Sequence, residues 1–312
     1  MDGNIIDIKR FTLHDGPGLR STVFLKGCGL RCAWCHNPEG IDNRIGLWYL
    51  PRQCIHCHTC LGVCPEKALS VDEGDELTIV INRQRCTNCG LCVEACPTNA
   101  LAFDGRRLSG EAVAEILARD RQFYAESGGG ITISGGDPLV QHGFALEILS
   151  LCKAAGLHTA VETGLQGSWD IIEAFLPVTD MFIVDLKIAD ARLHREYTGQ
   201  DNGLIRGNYR RLVGQPGASG AGREILTRIP LIPGVTARQE NIHAIARFVR
   251  DCNPGGQVEL INFNPLAENK YLLMGRDHGF FRDMVPLDTD EVAGLSAILE
   301  AEGLAVLREH RA

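Results

Sequence analysis

The chain has 312 residues, 45% apolar and 22% charged, which suits one large globular domain or two ordinary ones and excludes a disordered chain. A formal net charge of −8 argues against nonspecific binding to nucleic acid. No uncharged apolar run approaches the ~18 residues of a membrane helix and no basic stretch precedes an apolar core at the N-terminus, so a cytoplasmic protein without membrane or nucleic-acid partners is expected.

In chain order, the first predicted elements are a strand pair over 5–11 and 22–26. A helix follows over 111–126, with Ser109 as its N-cap. Its apolar residues Val113, Ile116, Leu117 and Phe123 fall on one face. From about residue 127, short apolar runs alternate with helical patterns. Strands are predicted over 131–133, 158–163, 181–187, 225–232 and 258–263. Helices are predicted over 142–155, 169–176, 241–250 and 291–302. Such alternation implies βαβ units around a parallel sheet with right-handed crossovers. Residues 214–222, rich in Gly, Ser and Ala, predict a surface loop.

Cysteine interrupts this pattern. The chain has 13, and all but Cys152 and Cys252, read as buried thiols, fall into three clusters. A disulfide scaffold suits a short secreted chain, so the clusters point to metal. Two copies of one pattern start 32 residues apart, at Cys54 and Cys86. They are Cys54-x2-Cys57-x2-Cys60-x3-Cys64-Pro65 and Cys86-x2-Cys89-x2-Cys92-x3-Cys96-Pro97. This is the bacterial two-cluster ferredoxin spacing, in which the fourth cysteine serves the other cluster. Cys96 then joins Cys54, Cys57 and Cys60, and Cys64 joins Cys86, Cys89 and Cys92. Two structural zinc sites are the alternative. His56 and His58 read as loop residues. So short a segment buries little core and needs metal to hold it. The third cluster, Cys28-x3-Cys32-x2-Cys35, is followed by His36-Asn37-Pro38. Three thiolates on a cubane leave one iron open, as a catalytic metal site does; a three-Cys zinc site with an outside ligand is the alternative.

This triad resembles the hallmark of the radical S-adenosylmethionine (SAM) superfamily. A narrower resemblance runs nearly the whole chain. It is carried by Leu13-His14-Asp15-Gly16-Pro17-Gly18-Leu19-Arg20, the run from Thr22 to Cys28, and Arg119-Asp120 with Phe123-Tyr124. Ser127-Gly128-Gly129-Gly130, Ser134-Gly135-Gly136-Asp137-Pro138, Asp185-Leu186-Lys187 and the run from Arg228 to Gly234 complete it. These look like glycyl-radical-enzyme activating enzymes. The resemblance implies an α/β fold, a partial (β/α)6 TIM-like radical SAM barrel at 1–49 and 105–312. An inserted ferredoxin-like 2[4Fe-4S] domain would occupy 50–104. It implies three [4Fe-4S] clusters and SAM as cofactors, with a monovalent cation as a further candidate. The implied partners are a glycyl radical enzyme and a low-potential donor such as flavodoxin or ferredoxin. In the implied reaction, SAM is reductively cleaved to methionine and a 5′-deoxyadenosyl radical, which takes hydrogen from a glycine of the partner.

The resemblance also implies residue roles. Cys28, Cys32 and Cys35 hold the catalytic cluster. Trp34 takes the aromatic position where the family packs adenine, with Cys35 and His36 beside SAM. Gly135-Gly136-Asp137 match the Gly-Gly-acid motif that holds the SAM ammonium, with Asp where most relatives have Glu. Glu162-Thr163 end a strand where the family's pyruvate formate-lyase activase has an Asp-Thr pair near SAM and a bound cation. Asp185 and Lys187 share a strand face on either side of Leu186. They are implied to hold ribose or a cation, and the SAM carboxylate; on spacing alone an ordinary surface ion pair is the alternative. Functional residues at the C-terminal ends of parallel strands fit the barrel rule. Arg228 is implied to hold a carboxylate of SAM or of the partner loop. Asn264 aligns with a SAM-contacting His, anchored by Glu259-Leu260, Lys270 and Met274-Gly275. Two other functions compete: a radical SAM oxidase of a peptide or small molecule with auxiliary clusters as electron acceptors, and a non-catalytic electron-transfer protein.

Overall fold

Aliphatic runs form the strands of one large sheet and two small ones. In chain order they are β1 Asp2–Thr12, β2 Arg20–Leu25, β3 Leu47–Tyr49, β4 Leu69–Val71, β5 Ile79–Ile81, β6 Leu101–Phe103 and β7 Arg106–Ser109. They continue as β8 Gly130–Gly135, β9 Thr159–Thr163, β10 Met181–Asp185, β11 Glu224–Leu231, β12 Gln257–Asn262 and β13 Ala305–Leu307. The helices are α1 Thr59–Val63, α2 Leu91–Glu94, α3 Gly110–Ala118, α4 Arg121–Ser127, α5 His142–Ala154 and α6 Trp169–Phe175. They are followed by α7 Ala191–Thr198, α8 Gly203–Val213, α9 Gln239–Cys252, α10 Glu268–Leu273 and α11 Thr289–Ala301. This is a computed structural model, and it describes all residues except 73, 75–77, 218–222, 277–278, 281–282 and 308–312.

The nine-stranded sheet has the order β13-β12-β11-β10-β9-β8-β2-β1-β7. From β2 to β13 every pairing is parallel, while β1 is antiparallel to both its neighbours. Strands β8 and β10 are almost wholly buried, as parallel strands covered by helices on crossover connections must be. Helix α9 shows how the cover works, burying Ile242, Ile245, Ala246, Phe248 and Val249 along one stripe. No helix among the described residues is long and apolar enough to cross a membrane.

Two local outcomes differ from expectation. The helix predicted over 111–126 is two helices, α3 and α4. Ser109 caps α3 as expected, accepting from the Ala112 amide. Asp120 then leaves the helical backbone at φ −98° and ψ 13°. Its buried carboxylate accepts from Arg10 Nε at 2.7 Å and Ser21 Oγ at 3.2 Å, which fixes the break. The second difference is α7 and α8, which fill a stretch where apolar periodicity predicts no helix. Asp190 caps α7 through the Leu193 amide. Of the predicted loop 214–222, residues 218–222 lie outside the described ones.

The cysteine-rich segment builds a core of its own. Leu47, Tyr49, Leu69, Ile79, Ala100 and Leu101 are buried together, and six cysteines pack in or against them. Its small sheets pair β3 with β6 and β4 with β5. Pairing thus draws Leu47 into this unit, slightly ahead of the expected start at residue 50. The unit is joined to the large sheet by a buried ion pair. Lys26, just past β2, is fully buried and donates from Nζ to Asp104 Oδ1 at 2.9 Å and to the Glu39 carbonyl at 2.5 Å. Asp104 Oδ1 also accepts from the Gly46 amide at 2.7 Å. Removing one partner strands a desolvated charge, so Lys26→Met is expected to lose about 3–5 kcal/mol in anaerobic denaturant unfolding. The Lys26→Met/Asp104→Leu double variant should recover part of that loss.

Candidate active site

The chain leaves β2 at Leu25 and turns into a loop that carries Cys28, Cys32 and Cys35. Backbone bonds pin it from two sides. The Cys28 amide donates to the Ile41 carbonyl at 3.1 Å, and the amides of Arg31 and Ala33 donate to the carbonyls of Thr198 and Tyr197 at 2.8 and 2.9 Å. Helix α10 supplies a third anchor. Tyr271 Oη donates to the Cys35 carbonyl at 3.1 Å. Lys270 Nζ donates to the His36 carbonyl, Asn37 Oδ1 and Glu39 Oε1 at 3.0, 2.9 and 2.7 Å. The three thiols lie within electrostatic reach of one another, and burial pushes all of them up, Cys35 to about 12. Among the described residues no three metal-ligating side chains have closed to coordination geometry; the fold supplies the grouping.

The strand ends converge on this loop. Lys187 Nζ donates to Asp185 Oδ2 at 2.7 Å, and its side chain is only 10% exposed. This is therefore not a surface ion pair. The Lys187 charge opposes the burial of Cys32 and Cys35, and it is held protonated against its own burial by Asp185 and Cys32. Leu186 between them is buried, its amide on the Arg228 carbonyl at 2.9 Å. Arg228, also buried, bridges two carboxylates: Nη1 to Glu162 Oε1 and Nε to Glu259 Oε2, both at 2.6 Å. Its Nη2 donates to the His14 carbonyl, drawing the loop that carries the His-Asp-Gly-Pro motif onto the sheet. Glu162 Oε2 accepts from Ser134 Oγ at 2.5 Å.

Asp137 makes its bonds within the protein. Its buried carboxylate accepts from the Leu139 amide at 3.0 Å, the Thr163 hydroxyl at 3.0 Å and the Gly164 amide at 2.9 Å. It therefore ties the end of β8 to the end of β9. The glycines before it serve the same junction. A Cβ on Gly135 would meet the Leu25 amide nitrogen at 2.2 Å, and one on Gly136 the Gly27 carbonyl oxygen at 2.2 Å. Their close approach is to this chain's own backbone. Trp34 is buried with Ile188, Ile232, Phe263, Ala267 and Tyr271. His36 is exposed and sets its ring 6.2 Å from that of Phe263. Asn264 is exposed, and its Oδ1 accepts from the Leu266 amide at 2.9 Å. The structure thus gathers Cys28, Cys32, Cys35, Asp185 and Lys187, with Asp137 and Thr163 beside them, and leaves the Asn264 side chain capping a turn. Sequence reasoning gave Glu259 no role beyond an anchor and missed Ser134. A charge inside the apolar run Val258-Glu259-Leu260 was the available signal, and register pairs Glu259 with Arg228.

Two pockets lie in the cysteine-rich unit. One is lined by Cys54, Cys57, Cys60 and Cys96, the other by Cys64, Cys86, Cys89 and Cys92. Each draws its fourth cysteine from the other sequence copy, the exchange that the ferredoxin spacing predicts. Four sulfurs around one pocket suit a cubane cluster, which these residues therefore fit.

Comparison with known proteins agrees with this arrangement. A family model described as a 4Fe-4S dicluster domain matches residues 53–100. The chain is 39% identical over 309 residues to the benzylsuccinate synthase activating enzyme of Thauera aromatica, covering 97% of this chain and 91% of that protein. It is 38% identical to the (2S)-3-sulfopropanediol dehydratase activating enzyme of Klebsiella oxytoca, over 88% of this chain and 86% of that protein. It is 36% identical to the trans-4-hydroxy-L-proline dehydratase activating enzyme of Clostridioides difficile, over 87% of each.

Thiol reactivity should separate the cysteines of the metal-free protein. Cys57 is exposed and the Thr59 hydroxyl holds its thiol below the ordinary value, whereas burial raises Cys28 and Cys35. Near neutral pH Cys57 carries more thiolate. Brief alkylation followed by peptide mass spectrometry is expected to label Cys57 well before Cys28 or Cys35.

Proposed function

The chain belongs to the glycyl-radical-enzyme activating enzymes, and we propose that Cys28, Cys32 and Cys35 hold its catalytic cluster while the surrounding strand ends hold SAM. Its activity is that of a radical SAM oxidoreductase. The bound cluster supplies one electron that splits SAM into methionine and a 5′-deoxyadenosyl radical, and that radical removes a hydrogen atom from a glycine of a partner enzyme. The observation that carries the residue assignment is three half-buried thiols grouped on one pinned loop with the Lys187 ammonium against them.

This chain's residues bind, orient and shield. Lys187 presents a buried positive charge suited to the SAM carboxylate, and Asp185 holds that ammonium in place. A charge-assisted bond to a buried ammonium is stronger than a neutral one. Trp34 offers an apolar wall for adenine beside Cys35. Asp137 and Thr163 fix the floor between β8 and β9 rather than gripping the ligand directly, so here the Gly-Gly-acid motif acts by positioning. Arg228, satisfied by Glu162 and Glu259, orients the loop at His14, where we place the contact with the partner's glycine segment. His36 and Asn264 are proposed as rim contacts to SAM, and Glu162 with Thr163 as the neighbourhood of a monovalent cation.

We further propose that the parallel strands curve as a partial (β/α)6 barrel over 1–49 and 105–312, open at one side for a peptide loop. The unit at 50–104 would be its ferredoxin-like insert, carrying two clusters and bringing the total to three. A low-potential flavodoxin or ferredoxin would supply electrons. Thirteen free thiols suit a reducing cytoplasm.

The decisive experiment is anaerobic. Iron- and sulfide-reconstituted protein, reduced and mixed with SAM, is expected to form 5′-deoxyadenosine, and the Cys28→Ala/Cys32→Ala/Cys35→Ala variant none. With a glycyl radical enzyme added, the glycyl doublet should appear in electron paramagnetic resonance (EPR). Lys187→Ala is expected to weaken SAM binding roughly 10- to 100-fold, the loss of one charge-assisted bond of about 1.5–3 kcal/mol.

A further inference from the structure

The two four-cysteine pockets sit differently against the rest of the chain. The pocket of Cys64, Cys86, Cys89 and Cys92 is walled by Leu47 and Phe103. Phe103 directly precedes Asp104, whose carboxylate holds Lys26, and Lys26 lies two residues before Cys28. A second connection starts from the same wall. Arg83 Nη1 donates to the Leu47 carbonyl at 2.9 Å, and its Nη2 donates to the Leu273 carbonyl at 3.2 Å. Leu273 ends α10, the helix whose Tyr271 hydroxyl donates to the Cys35 carbonyl. Arg83 itself precedes Cys86 by three residues. Two short bonded routes thus join this pocket to the 28–35 loop. The other pocket is walled by Tyr49, Ile55, His58, Ile79 and Thr98, none of which takes part in either route. Each pocket has one exposed cysteine, Cys57 in this one and Cys89 in the other, and this one also borders Ile55, which is 61% exposed.

We infer that the pocket of Cys64, Cys86, Cys89 and Cys92 is the inner electron station, adjacent to the Cys28, Cys32 and Cys35 site, and that Arg83 is the positioning residue that fixes their separation. This rests on the three-cluster reading above. The transfer is of one electron. The inner cluster is oxidised by one, the site cluster is reduced by one, and no proton moves and no bond changes in that step. A low-potential one-electron iron–sulfur or flavin protein restores the electron through the outer pocket, at the face that exposes Ile55 and Cys57.

The test reads spin coupling between clusters by pulsed EPR in the reduced, fully reconstituted chain. Cys57→Ala empties the outer pocket and is expected to keep the coupling to the site cluster. Cys89→Ala empties the inner pocket and is expected to lose it. The reverse pattern overturns the inference. Arg83→Ala removes no cluster ligand, so it serves even if a cysteine variant does not fold. It is expected to weaken the coupling at full iron content, with recovery in Arg83→Lys; unchanged coupling in Arg83→Ala overturns the role given to Arg83. Iron and sulfide in the native protein amounting to fewer than three clusters would instead overturn the three-cluster reading itself.

Discussion

A single ammonium deep in the molecule sets the frame for everything else. Lys26 has no exposure to solvent, and its charge is met by the Asp104 carboxylate and the Glu39 carbonyl. Those two acceptors belong to different parts of the chain: the segment that follows Cys35, and the exit from the cysteine-rich unit. One buried charge therefore sets where the 28–35 loop begins, where it ends and where the chain leaves the cysteine-rich unit. An unpaired charge at this depth costs several kcal/mol, so the three segments are held together or not at all. Glu39 extends the arrangement through its side chain to Lys270, which brings α10 onto the loop from the far side.

The interior of the sheet repeats this device with a different aim. Arg228 is surrounded by Glu162, Glu259 and the His14 carbonyl, all contributed by segments far apart in sequence. Asp137 does the same on a smaller scale with Thr163 and Gly164. Both side chains sit where ligand-binding residues of this family are expected, and both are bonded to several protein donors or acceptors. Each ties together strand ends that lie far apart in sequence. Lys187 and Asp185, by contrast, act electrostatically on the thiols, Lys187 on Cys32 and Cys28.

The parallel strands were legible in the sequence because a strand covered on both faces reads as an unbroken apolar run. The grouping of the cysteines was legible because the ferredoxin spacing pairs each set of three with a fourth from the other copy. Even the exchange of Cys64 and Cys96 between pockets followed from spacing alone. What escaped depends on contacts between distant residues. The break at Asp120 is enforced by Arg10, 110 positions away. Helix α7, rich in Arg and Glu, carries too little apolar pattern to announce itself, yet its last turn pins the cysteine loop. The carboxylates around Arg228 likewise become partners only when β9, β11 and β12 line up in register.

The loop at His14 has a property that follows from where its anchor lies. Ion pairs at the surface, such as Arg44 with Asp42 or Arg195 with Asp201, stand in water and weaken as dissolved ions crowd around them. The guanidinium that grips the His14 carbonyl is buried, and the two carboxylates that orient it are mostly so, which leaves them screened far less. Rising ionic strength therefore loosens the outer surface, and any docking steered by it, while the strap across the sheet keeps its place. The molecule separates how a visitor is attracted from how the visitor is received.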